Sequence, residues 1–143
     1  MRLTRATILL ALCLMLVSCG GGKSGPFDIN GNWAATLSGT GVSPSVPVTI
    51  QFTVTLNQTS PPDVDATNFT PPNACFSNPS TLTSTFSNGA FTMKIVGFTG
   101  AFANVMNLQG NVDGSSITGN WTFVGGASQE SCSASGTFKM TRG

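Results

Sequence analysis

Apolar and polar residues alternate with a period of two along most of the chain after residue 27. The clearest run, Val48 to Asn57, places five apolar residues on one side and Thr, Gln and Asn on the other. Such alternation predicts antiparallel strands with one buried face. The other predicted strands are Trp33 to Leu37, Thr81 to Ser87, Phe91 to Ile95, Met106 to Val112, Ile117 to Phe123 and Ser133 to Thr141.

Turn residues separate these strands. Asn88-Gly89 and Asp113-Gly114 favour positive φ and predict type I′ hairpins. Ser38 to Pro47 and the proline-rich Gln58 to Asn73 are predicted as longer loops, because prolines at that density exclude a central strand. We predict an all-β domain, a small antiparallel up-and-down β-barrel of about seven to eight strands whose closure removes exposed edges. A two-sheet β-sandwich is the alternative.

The first 18 residues follow a different pattern. Arg2 and Arg5 precede an almost wholly apolar stretch from Ala6 to Val17. About a dozen apolar residues are too few for a transmembrane helix, which needs about 20, and they are typical of a signal peptide. We therefore predict a signal helix over residues 1–18, a Gly-rich tether over 19–26 and a β domain over 27–143.

The segment Leu16-Val17-Ser18-Cys19 resembles the lipobox of bacterial lipoproteins. In that family a lipid is attached to the cysteine sulfur, cleavage makes this cysteine the new N-terminus, and acyl chains such as palmitate hold the protein on a bilayer. The resemblance implies lipidation of Cys19 and a location in the cell envelope. Gly20, the second mature residue, resembles lipoproteins sent to the outer membrane of bacteria with two membranes. An ordinary secretory signal with a chance cysteine is the alternative.

The four cysteines leave one pair for the β domain. Cys13 lies in the signal segment and Cys19 carries the predicted lipid, so Cys75 and Cys132 remain. Outside the cytoplasm such a pair is predicted to form a disulfide. A metal or redox pair is the alternative, although the chain has no C-x-x-C motif and no histidine.

Charge and composition exclude several classes of function. Removal of Arg2 and Arg5 leaves four basic residues against five acidic ones, a net charge of −1, which gives no electrostatic basis for binding nucleic acid. The absence of histidine excludes Ser-His and Cys-His nucleophilic sites and histidine-containing zinc sites. No cofactor or metal is predicted. Asp63 and Asp65 are interpreted as part of a solvated loop, with weak calcium binding as the alternative.

Two Gly-Asn-Trp segments occur in predicted strands, at residues 31–33 and 119–121. A Gly-x-Trp at the first strand resembles the calycin pattern of lipocalins and avidins, in which the tryptophan plugs one end of the barrel. Two basic residues on the last strand, Lys139 and Arg142, are the candidates for covering this tryptophan. The chain has no tyrosine for an avidin-type ligand contact, so the resemblance implies shape and not ligand residues.

Candidate binding residues are aromatic. Gly97 to Phe102 is an apolar segment predicted as a loop, and its Phe98 and Phe102, together with Trp33 and Trp121, form a candidate ligand mouth. Core packing is the first interpretation of both tryptophans. For the two phenylalanines, docking on a partner or a membrane and burial at a strand edge are the alternatives.

The predicted function is that of a membrane-anchored, non-enzymatic binding or structural module. Its expected partners, besides the membrane, are a small hydrophobic ligand or a protein. The alternative is a carboxylate-dependent glycan hydrolase, which would need two acidic side chains facing one cleft. The acidic candidates are Asp28, Asp63, Asp65, Asp113 and Glu130.

Overall fold

The computed structural model describes residues 28–70, 79–99, 102–126 and 132–143. The regular elements within these ranges are eight β-strands. The predicted signal helix, the tether, Phe27 and Cys75 lie outside the described residues. The strands are β1 Gly31–Gly41, β2 Pro47–Ser60, β3 Asp63–Thr67, β4 Pro79–Ser87, β5 Ala90–Thr99, β6 Phe102–Asp113, β7 Ser116–Val124 and β8 Ala134–Arg142.

The eight strands form a closed barrel in sequence order. Each strand pairs antiparallel with the next, and β8 pairs with β1 from Trp33↔Arg142 to Gly41↔Ala134. The predicted small up-and-down antiparallel barrel is therefore confirmed. The β1–β8 pairing excludes the two-sheet sandwich, because it joins the first and last strands that a sandwich would leave apart.

Alternation along each strand determines which side chains fill the barrel. In β2, Ile50, Phe52, Val54 and Leu56 are buried inside, whereas most of the polar residues between them face solvent. Successive side chains of a strand point to opposite faces, so a period of two gives one apolar and one polar surface. The apolar surface becomes the core and the polar surface becomes the outer wall.

Two tight hairpins lie at or within one residue of the predicted turn dipeptides. Asn88 and Gly89 have φ of 52° and 82°, as a type I′ turn between β4 and β5 requires. At the β6–β7 hairpin the predicted position is wrong by one residue, because Asp113 still pairs with Ser116. The turn residues are Gly114 and Ser115, and of these only Gly114 has a positive φ, which argues against type I′ and fits a II′-type turn.

The predicted loop Gln58 to Asn73 contains a strand that the proline count concealed. β2 continues to Ser60, and β3, Asp63–Thr67, forms between the prolines. Pro61 and Pro62 occupy the turn before β3, so neither removes a hydrogen bond from the middle of a strand. The loop prediction is wrong here because prolines exclude a strand only where they fall inside it.

Two further predicted loops are shorter than expected. β1 continues through Ser38 to Gly41 before the connection to β2 at Pro47. The predicted loop Gly97 to Phe102 is largely strand, because β5 extends to Thr99 and Thr99 pairs with Phe102 at the start of β6. The apolar content of this segment reflects paired strand ends and not an open loop.

The up-and-down topology gives the barrel two distinct ends. One end, called the plugged end, carries the start of β1, the end of β8 and the connections β2–β3, β4–β5 and β6–β7. The opposite end, called the loop end, carries the connections β1–β2, β3–β4, β5–β6 and β7–β8. The chain therefore enters the barrel at the plugged end, where Asp28 precedes β1.

Candidate functional site

Trp33 closes the plugged end of the barrel. Its side chain is only 1% exposed, and its indole Nε1–H donates to the Ile29 carbonyl oxygen at 2.8 Å. Ile29 is equally buried, so the segment just before β1 folds under the barrel and seals it. The position is typical of a core plug and not of a ligand-contacting surface.

Arg142 covers the tryptophan ring. Its Cζ atom lies 5.0 Å from the centroid of the Trp33 ring, a cation–π geometry. Its guanidinium donates to the Asp28 carbonyl oxygen and lies 3.8 Å from the Asp28 carboxylate. Of the two basic candidates on the last strand, Arg142 therefore has this position, whereas the exposed Lys139 lies on the outer wall.

Trp121 occupies the half of the barrel nearer the loop end. Its side chain is 1% exposed, and its indole Nε1–H donates to the Ser38 carbonyl oxygen at 3.3 Å. Phe98 and Phe102, in contrast, are 50% and 44% exposed at the loop end itself. The four residues of the candidate mouth are thus not brought together, because Trp33 lies at the opposite end from both phenylalanines.

The interior of the barrel is packed with apolar side chains. All strands from β1 to β8 contribute buried residues to one continuous hydrophobic cluster, which includes Trp33, Phe52, Phe91 and Trp121. Aromatic rings of this size fill a small eight-stranded barrel. The described residues therefore form a packed core, which does not favour a small hydrophobic ligand inside.

The exposed large apolar side chains of the described residues all lie at or near the loop end. Such clustering differs from the single exposed apolar residues that are normal on protein surfaces. It marks this end as the candidate interaction site. The side chains are Val42, Val46, Phe98, Phe102 and Val124.

Part of this surface is an ordered row on the outer wall. Val96, Val105 and Val124 lie directly opposite one another on β5, β6 and β7. Phe98 faces Ala103 in the next row toward the loop end. We call these five residues the outer-wall patch. They are exposed or half-buried, whereas the outer wall elsewhere in the described strands is dominated by Thr, Ser, Asn and Gln.

The three valines of the outer-wall patch were missed by reasoning from the sequence. A signal for them exists, because each directly follows an inward-facing residue of its strand. Val105, for example, precedes the buried Met106 and must point outward. An apolar residue at an outward position is the informative exception in an alternating strand.

The carboxylates do not form a hydrolytic pair among the described residues. Asp28 contacts Arg142, while Asp63 and Asp65 are exposed on the outer wall and Asp113 is exposed beside a turn. Glu130 lies outside the described residues. Open concavities of about 220 to 370 Å³ lie on the outer wall, and none of them is lined by a carboxylate.

The cysteines are only partly described. Cys132 is half-buried and packs against the core just before β8. Cys19 and Cys75 lie outside the described residues, so lipidation and the pairing of Cys75 with Cys132 stay predictions. Within the described ranges, no three His, Cys, Asp or Glu side chains come together as metal ligands.

Comparisons of the chain with protein-family models, with curated proteins and with solved structures give no match. Among the described residues there is no helix of the length and hydrophobicity needed to cross a membrane.

Proposed function

We propose that this protein is an extracytoplasmic lipoprotein whose barrel is a non-enzymatic module for docking a protein partner. The proposed lipid anchor is supported by the segment Leu16-Val17-Ser18-Cys19, which follows a short apolar segment. The observation that favours a protein partner is the packed interior combined with exposed apolar side chains at one end. A small ligand needs a cavity, whereas a protein needs an exposed surface.

A calycin relationship is part of the proposal. It is supported by the Gly-x-Trp at the first strand, the up-and-down topology and the Arg142 side chain over Trp33. These features concern the plugged end and the shape of the barrel. They carry no ligand specificity, because the core is packed where a calycin ligand would lie.

The β domain is proposed to be cross-linked by Cys75 and Cys132. The bridge is supported by the half-buried position of Cys132 against the core just before β8. It would close a loop of about 60 residues, for which chain entropy alone gives roughly 4 kcal/mol of stabilisation. Such a bridge suits an oxidising compartment, as the proposed envelope location requires.

The anchor is tested by lipid labelling of the full-length protein in a bacterial host. Cells grown with a radiolabelled fatty acid should label the wild-type chain. Cys19→Ser should abolish this labelling completely, because the thiol is the acceptor of the lipid. Cys13→Ser is the matched control, since it also removes a cysteine of the N-terminal segment and should leave labelling unchanged. Unlabelled wild-type protein, or labelling that survives in the Cys19→Ser variant, would show that Cys19 is not the anchor.

A further inference from the structure

We infer that the outer-wall patch is the contact surface between two copies of this chain, packed side by side. This deepens the proposed function by naming the docking partner, and it rests on that function in one respect, the position of the lipid anchor. The inference starts from the contrast on the barrel wall. Val96, Val105 and Val124 form an apolar row, whereas the other outward rows of these three strands carry mainly Thr, Asn and Gln, with Lys94 in the adjacent row and Ala90 near the plugged end.

The surface has the chemistry of a self-complementary interface. None of the five patch residues is charged, so two copies can face each other without opposing like charges. In a two-fold dimer the same patch contacts itself, and homodimer interfaces are more apolar than transient ones. Three adjacent strands also offer a sheet face, and two such faces pack at about 10 Å.

The exposed apolar area is also of the required size. Val42 adjoins the patch, because its amide donates to the Ser133 carbonyl and Ser133 also contacts the Gly125 amide that follows Val124 in sequence. Together the exposed apolar residues at this end offer on the order of 400 Å², which is the size of the largest apolar patch on a typical monomer, and such patches are often functional. A standard interface takes about 800 Å² from each partner, of which roughly 60% is non-polar.

The position of the patch favours a second copy over the anchoring bilayer. The chain enters at the plugged end, and the eleven residues of β1 place about 25 Å of barrel between that end and the patch. An anchor attached before Asp28 is therefore at the end of the barrel opposite the patch, which leaves the patch remote from the membrane. A two-fold axis parallel to the barrel axes would keep both plugged ends facing one bilayer.

Photo-crosslinking in intact cells tests which partner occupies the patch. The full-length chain should carry p-benzoylphenylalanine at position 98, and the mass of the crosslinked product should be twice that of the mature chain. The same crosslinker at position 137, exposed on the polar wall of β8, is the control and should give no such product. A product with lipid or with another protein, or no product at position 98, would overturn the inference.

Matched variants test the affinity. The double variant Val105→Thr and Val124→Thr gives the outer-wall patch the polar character of the remaining outer wall. In the detergent-extracted mature protein it should raise the dimer dissociation constant at least tenfold, measured by sedimentation equilibrium. The double variant Ala34→Thr and Ala90→Thr also replaces apolar residues by threonine, at exposed positions outside the patch. It should leave the dimer dissociation constant unchanged. A monomeric wild type, or equal effects of both pairs, would refute self-association. Labelling at Cys19 is independent of both readouts, so a failed anchor and a failed dimer are distinguishable.

Discussion

Gly119→Ala is expected to destabilise the barrel severely. A Cβ atom at this position would lie 2.0 Å from the Gln109 carbonyl oxygen and 2.5 Å from the Gly110 Cα. Both are backbone atoms of β6, the strand that pairs with β7, so no rotamer change can relieve the overlap. The strands would have to separate, and each broken ladder bond would leave buried polar groups unpaired.

The size of this effect can be compared with the total stability of a small domain. A loss of more than about 4 kcal/mol is expected, against a typical total of about 5–15 kcal/mol. For a domain of this length the melting temperature should fall by about 15 °C or more, measured by circular dichroism. Should the variant melt within a few degrees of wild type, the close approach of β6 and β7 would be disproved.

Gly114→Ala is the matched control. No heavy atom lies within 4 Å of a Cβ at this position, so space is not limiting. Its φ of 57° still makes alanine unfavourable, at a cost of about 1–2 kcal/mol. The control should therefore lower the melting temperature modestly, and the difference between the two variants isolates the steric effect of Gly119.

Trp33→Ala is expected to produce the second large loss of stability. Removing a buried tryptophan typically costs about 3–5 kcal/mol. The Ile29 carbonyl oxygen would also lose its indole donor, and the Arg142 guanidinium would lose the ring beneath it. The plug should therefore open, and the free energy of unfolding in urea should fall by at least about 3 kcal/mol.

Trp33→Phe separates the ring from the hydrogen bond. Phenylalanine keeps an aromatic face under Arg142 but cannot donate to Ile29, so this variant should lose only about 1–3 kcal/mol. The free energies of unfolding of the two variants, measured in the same denaturant series, separate the contribution of the aromatic ring from that of the indole hydrogen bond. A Trp33→Ala variant as stable as Trp33→Phe would mean that the ring is not part of the plug.

Period-two alternation is sufficient to predict most of the barrel, because it directly reports which face of a strand is buried. It fails at β3, where Val64 is the one fully buried residue and prolines precede the strand. β3 is stabilised by its neighbours, since Leu56 in β2 pairs with Ala66 and Ser84 in β4 donates to the Val64 carbonyl. Such support comes from tertiary pairing, which local patterns do not contain.

The candidate site depends on long-range register in the same way. Phe98 and Phe102 stand out in the sequence as apolar residues, and both are exposed as docking residues would be. The row formed by Val96, Val105 and Val124 exists only once β5, β6 and β7 are aligned. The grouping of Trp33 with the phenylalanines fails for the same reason, because sequence alone does not tell which barrel end each residue occupies.

The central claim, a mature chain that begins at a lipid-modified Cys19 and carries the barrel, is tested most directly by intact mass spectrometry. The full-length chain should be expressed in a bacterial host, and the mature protein should be extracted from its membranes. We expect a mass equal to residues 19–143 plus a diacylglyceryl group, with or without a further acyl chain. A mass corresponding to the uncleaved chain, or to a chain without lipid that begins at any residue, would contradict the claim.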